Sequence, residues 1–127
     1  MTKLLDLKRL KAHEKINRKR LREVKKMIFS ARSFTEPIIV EKKHLVILDG
    51  HHRARVLDEM GCKKIPAHVL NYVDRKVRVQ SRRANYTVNK KLIIQRALAG
   101  QLYPAKTTRH FIHHRPKNLN IKLCKLR

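Results

Sequence analysis

Val46-Ile47-Leu48-Asp49-Gly50-His51-His52-Arg53 is the stretch on which the fold turns. An aliphatic run, Leu45–Leu48, ends at an Asp-Gly pair, and the segment after it places Val56, Leu57 and Met60 on one face. A strand therefore hands over directly to a helix from about His51 to Met60, with Gly61 in the left-handed position that stops it. Such a junction carries its own chemistry. The first turn of a helix has unpaired N–H groups and the positive dipole end, and Gly50 permits a close approach of backbone. His51, His52 and Arg53 add side-chain donors, so the junction suits an anion. The residues alone also allow Asp49 simply to cap the helix while His52 and Arg53 face solvent.

Upstream, Pro37–Val40 and Leu45–Leu48 read as a hairpin across Glu41–His44. Asn17 caps a helix to about Ile28 with Leu21, Val24, Met27 and Ile28 on one face, and a strand is expected near Leu4–Leu10. Downstream, Ile65–Tyr72 supplies a strand and Val77–Gln80 a weaker one. Asn89 caps a helix through Ala99 that ends at Gly100, and the rest reads as loop and tail. The fold class is α+β, a small mixed sheet with flanking helices. One domain over residues 1–115 and a basic C-terminal arm over residues 116–127 are expected at this length.

The 127 residues hold 33 Lys and Arg against 9 Asp and Glu, a formal charge of +24 with a pI near 11.1. Residues 60–127 contain a single acid, Asp74. A surface so poor in carboxylates predicts a polyanionic partner, with nucleic acid first among them. The phosphate contacts would come from Arg18, Lys19, Arg20, Arg22, Lys25 and Lys26, from Arg75, Lys76, Arg78, Arg82, Arg83, Lys90 and Lys91, and from Arg115, Lys117, Lys122, Lys125 and Arg127. Tyr86 or Tyr103 could stack on bases. No apolar run approaches the roughly 20 residues of a membrane span, and no signal-peptide block opens the chain, so a soluble cytoplasmic protein without a membrane partner is expected. Cys62 and Cys124 form no C-x-x-C pair, which gives no disulfide framework and no zinc knuckle.

Two further segments carry chemistry. In Pro104-Ala105-Lys106-Thr107-Thr108-Arg109-His110, a lysine, two hydroxyls, an arginine and a histidine can ring a phosphate, or equally face an RNA backbone. His110, His113 and His114 lack a carboxylate or thiolate beside them, a weak metal pattern, and no metal site is assigned. Lys11-Ala12-His13-Glu14 sets a carboxylate just ahead of a basic helix; by itself Glu14 is a surface acid or a partner for Arg18.

Together the three segments resemble the archaeal free serine kinases of the ParB/sulfiredoxin-like superfamily, over about Leu4–Tyr72 and from Leu102 onward. The resemblance implies a ParB/sulfiredoxin-like domain with Glu14 as base on the serine hydroxyl and Asp49 as a metal or orienting carboxylate. It also implies a phosphate and nucleotide clamp of Gly50, His51, His52, Arg53, Lys106, Thr107, Thr108, Arg109 and His110, with ADP or ATP and Mg²⁺ as cofactors. The partition-protein ParB box corresponds to Gly50–Arg53, whereas a sulfiredoxin would need a cysteine in place of His51. Departures accompany the likeness. Lys-Pro-His-Glu has become Lys-Ala-His-Glu, Ala54 replaces an aromatic, Ala105 replaces a proline, and the family's substrate-closing lobe has no counterpart between Tyr72 and Leu102.

Because phosphoryl transfer depends on positioning and on exclusion of water, loss of that lobe favours phosphate binding over turnover. The expected function is therefore an archaeal ribosomal or ribosome-associated RNA-binding protein on a serine-kinase-like scaffold. Its partners would be rRNA and neighbouring ribosomal proteins, and it would need no cofactor. A free serine kinase is the alternative, and a ParB-like DNA-binding protein a further one.

Overall fold

The computed structural model describes residues 2–117 and 119–127; Met1 and Asn118 lie outside the described residues. The strand–helix junction forms as expected. Strand β1 (Thr2–Asp6) leads into a 3-10 turn, Leu7–Arg9, so the strand expected over Leu4–Leu10 starts and ends earlier. Helix α1 (Arg18–Ala31) begins at Asn17, whose side chain accepts from the Arg20 N–H at 3.0 Å, and runs three residues past Ile28. Then come β2 (Ser33–Phe34), β3 (Ile38–Glu41), β4 (Ile47–Asp49), α2 (His51–Glu59) and β5 (Lys64–Leu70). The remaining elements are β6 (Arg78–Ser81), α3 (Lys90–Ala99), β7 (Thr108–Phe111) and β8 (Ile121–Lys122), with a closing 3-10 turn at Leu123–Lys125.

The main sheet has the order β1-β5-β3-β4, with β3 parallel to β5 and the other pairs antiparallel. Apolar layers cover both faces. Ile38 and Val40 join Val24, Ile28, Val56 and Leu57 on the side of α1 and α2, while Ile39 joins Tyr72, Ile93 and Tyr103 on the side of α3. That double burial explains why β3 and β4 are continuous apolar runs rather than alternating ones. The β3–β4 connection uses no tight two-residue turn. Instead the Glu41 carboxylate accepts the N–H groups of Lys43 and His44 at 2.6 and 2.7 Å, closing Glu41–His44 over itself.

Two small ribbons, β2–β8 and β6–β7, flank the sheet. The stretch between Tyr72 and Leu102 thus holds a strand and a helix packed on the second layer. The basic C-terminal arm lies against the domain. Its Leu126 side chain is fully buried with α1 and α2, and its Leu126 carbonyl accepts from the Lys63 and Lys64 N–H groups at 2.8 and 2.9 Å. No helix among the described residues is long and apolar enough to cross a membrane.

Candidate functional site

Gly50 makes the junction between β4 and α2 possible. Its φ is 106°, and a side chain built there would collide with Ile38 Cγ2. Only glycine relieves both constraints, so the backbone can turn sharply and leave the first N–H groups of α2 without a side-chain cap. The Lys11–Glu14 segment then runs beside β4. Lys11 N–H donates to Leu45 O, Ile47 N–H donates to Lys11 O, and on the other side Tyr103 N–H donates to His13 O. Held between the β4 segment and Tyr103, Glu14 reaches the start of β7. Its Oε2 accepts from the Thr108 N–H at 2.7 Å and meets the Thr108 hydroxyl at 2.5 Å.

These segments share one cleft of about 780 Å³, in which Glu14, Asp49, Gly50, His51, His52, Lys106 and Thr108 all face the same space. Arg20, Arg82, Arg115 and Lys117 also line it. Arg20 comes from α1, Arg82 follows β6, and Arg115 and Lys117 come from the segment after β7. Sequence reading had placed all four on an RNA-facing surface. Only the tertiary fold brings them to the cleft, so no local pattern announces them.

The expected clamp divides. His52 accepts the Asn17 N–H on Nε2 at 3.0 Å, and His51 accepts the His13 N–H at 3.1 Å. Arg53 also lines the cleft, its guanidinium held there by donating to the Glu36 and Pro37 carbonyls at 2.7 and 3.2 Å. Along β7 alternate side chains face opposite ways. Thr108 and His110 point inward, and Arg109 points out over the Phe111 ring at 5.0 Å. His110 is fixed by the Tyr72 hydroxyl at 2.8 Å, and Thr107 donates to the Pro104 carbonyl at 2.6 Å. Thr107, Arg109 and His110 therefore shape the loop without lining the cleft. Lys106, at φ 59°, does line it.

Burial lowers the pKa of His51, His13 and His52, and pushes His110 down to about 3. Protonating His51 or His110 is opposed further by the nearby His13 ring, and protonating His52 by the Arg20 cation. These four imidazoles are neutral at pH 7, so the positive field at the cleft comes from Arg20, Arg53, Arg82, Lys106, Arg115, Lys117 and the α2 N-terminus. Asp49 pairs with Arg115 at the rim. His113 and His114 contact each other at 3.9 Å, apart from buried His110. Among the described residues no group of three His, Cys, Asp or Glu is placed to hold a metal ion. Tyr103 is buried, with its hydroxyl donating to the Thr87 carbonyl and Tyr86 edge-on against its ring, so it presents no face to a base.

No family model matches the chain. It is 37% identical over 83 residues to an ATP-dependent L-serine kinase of Staphylothermus marinus, covering 61% of this chain and 32% of that protein. It is 29% identical over 79 residues to the ADP-dependent L-serine kinase SerK of Thermococcus kodakarensis, covering 59% and 33%. The match thus spans about a third of the length of these curated relatives. In structure, a free serine kinase in complex with AMP superposes with a TM-score of 0.91 at 16% identity, over 99% of this chain and 93% of that one.

These likenesses overturn the expectation of an RNA-binding ribosomal protein with rRNA and ribosomal proteins as partners. The two relatives just named are L-serine kinases, and the fold is that of a free serine kinase. The expectation failed because net charge describes the field around a molecule and not the chemistry of its site.

Proposed function

We propose that this chain, a serine-kinase-like member of the ParB/sulfiredoxin-like family, transfers a phosphoryl group from ADP or ATP to the hydroxyl of free L-serine. One observation carries the reading: the Glu14 carboxylate opens into the same cleft as the uncapped N-terminus of α2 and Lys106. In phosphoryl transfer the protein mainly positions the reactants and stabilises charge. The N–H groups of the first turn of α2 and the Lys106 ammonium receive the phosphates, and Arg20 and Arg82 add positive potential at the walls. His52, a neutral ring whose Nε2 accepts the Asn17 N–H, bears its hydrogen on Nδ1 and can donate it beside them. Glu14, with one carboxylate oxygen fixed by Thr108, takes the proton of the serine hydroxyl as that oxygen attacks phosphorus.

The cleft also fits a nucleotide-bound Mg²⁺. That ion needs one or two carboxylates and takes its other ligands from phosphates and water, and Asp49 is the carboxylate at the rim once Arg115 releases it. When bound, the ion would neutralise phosphate charge.

Incubation of the chain with L-serine and either nucleotide, with Mg²⁺ present, should yield phosphoserine and the nucleotide one phosphate shorter. Glu14→Gln keeps the shape and removes the base, and should lower turnover by about 10² to 10⁴-fold with nucleotide affinity unchanged. Absence of phosphoserine with both nucleotides, or full turnover by the variant, would refute the assignment.

A further inference from the structure

We propose that Glu14, Thr108 and His13 form one proton-accepting unit, in which the Thr108 hydroxyl turns from Glu14 to His13 once Glu14 has taken the proton of the substrate hydroxyl. The inference rests on the kinase reading and deepens it by assigning two positioning residues behind the base.

A hydrogen count leads to it. Nδ1 of His13 lies 2.7 Å from the Ile47 carbonyl oxygen, which only accepts, so that nitrogen bears a hydrogen. Nε2 lies 2.8 Å from Thr108 Oγ1, and Oγ1 lies 2.5 Å from Glu14 Oε2. Each of those two contacts needs a hydrogen of its own. A neutral His13 has already used its hydrogen on Nδ1, an ionised Glu14 has none, and Thr108 brings one. The chain of contacts is one hydrogen short. With Glu14 ionised, the carboxylate is the stronger acceptor and holds the Thr108 hydroxyl, leaving Nε2 unmatched. With a hydrogen on Oε2, the carboxyl donates to Oγ1, the hydroxyl turns to Nε2, and all three contacts are made.

A doubly protonated His13 beside an ionised Glu14 would fill the count equally well, but the surroundings oppose it. His13 is 0% exposed, and its ring packs against His51 at 4.6 Å, His110 at 5.9 Å and Tyr103 at 6.4 Å. Burial lowers its pKa despite the Glu14 charge and the Ile47 carbonyl, which pull the other way. Lys90, facing His110 from α3, adds positive charge to the same cluster. A neutral imidazole with Nε2 free to accept is the form this site selects.

In the reaction, the serine O–H bond breaks as its oxygen bonds the terminal phosphorus, and the P–O bond to the rest of the nucleotide breaks, its electron pair leaving with that fragment. The proton stays on Glu14, shared toward Thr108, until products depart and it passes to water. His13 stays neutral throughout, serving as the second acceptor that lets the hydroxyl turn.

Thr108→Val keeps volume and the backbone N–H to Glu14 but removes the turning hydrogen, whereas Thr108→Ser restores it. Serine kinase assays should show kcat down about tenfold or more in the valine variant, with both KM values within about twofold, and the serine variant within about threefold of wild type. Ring ¹⁵N spectra of the wild-type chain should show His13 neutral with hydrogen on Nδ1 at pH 7, a readout independent of turnover. Wild-type kcat in Thr108→Val, equal losses in the Ser and Val variants, or a His13 doubly protonated or carrying its hydrogen on Nε2 would each overturn the unit. A wild-type chain that makes no phosphoserine would instead remove the kinase reading, while the spectra would still decide the hydrogen count.

Discussion

Gly50 shows at the scale of one residue how the cleft is built. Its φ of 106° lies where L-residues are strained, and a β-carbon there would meet the Ile38 side chain beneath it. Gly50→Ala therefore combines a left-handed penalty with overpacking, and should lower unfolding free energy by about 2 to 4 kcal/mol. Because the N–H groups of α2 would also be displaced, nucleotide affinity should fall at least as steeply as stability; urea unfolding and nucleotide titration read the two separately. Unchanged stability would mean that the turn relaxes without cost. The Asp-Gly pair made this residue visible in the sequence. Arg53 stands in the cleft wall as the Asp-Gly-His-His-Arg run suggests, but its bonds to the Glu36 and Pro37 carbonyls, which fix it there, come from a distant part of the chain that no local pattern shows.

Elements with strong local signals came out where the sequence placed them: α3 runs from its Asn89 cap to Gly100, and α2 starts at His51. Those that depend on distant partners did not. β7 and β8 are short and mixed in composition, and they exist because β6 and β2 pair with them. The side-chain alternation of β7 then decides which members of Lys106–His110 reach the cleft, something a cluster of suitable residue types cannot reveal. The C-terminal segment teaches the same lesson energetically. It reads as a basic tail, yet Leu126 is 0% exposed among Val24, Ile28, Val56 and Leu57. Leu126→Ala should cost about 2 to 5 kcal/mol, measured as a lowered urea midpoint. A loss under about 0.5 kcal/mol would show that this segment does not hold the first layer together.

Across the whole molecule, a charge of +24 sits on a core that buries His13, His51 and His110 without charge. Each of these binds a proton more readily in the unfolded chain, where its pKa is near 6.5, than in the fold, where burial lowers it, to about 3 for His110. Unfolding then takes up protons between those values. Stability is complete above about pH 6.5 and declines as pH falls below it, by up to about 1.4 kcal/mol per pH unit for each histidine still neutral in the fold, a window that for His110 extends down to about pH 3. Acidification also raises a net charge that already opposes compactness, so both effects act in one direction. His110 is the cleanest member to test, since it lies outside the cleft and its Nε2 meets the Tyr72 hydroxyl rather than a cleft residue. His110→Asn should lower stability at pH 7.5 but shrink the difference between urea midpoints at pH 7.5 and 5.5, recovering about 1 kcal/mol of the wild-type pH effect. If wild type and variant lose the same stability on acidification, the buried histidines are not what limits this fold in acid, and the surface charge alone must account for it.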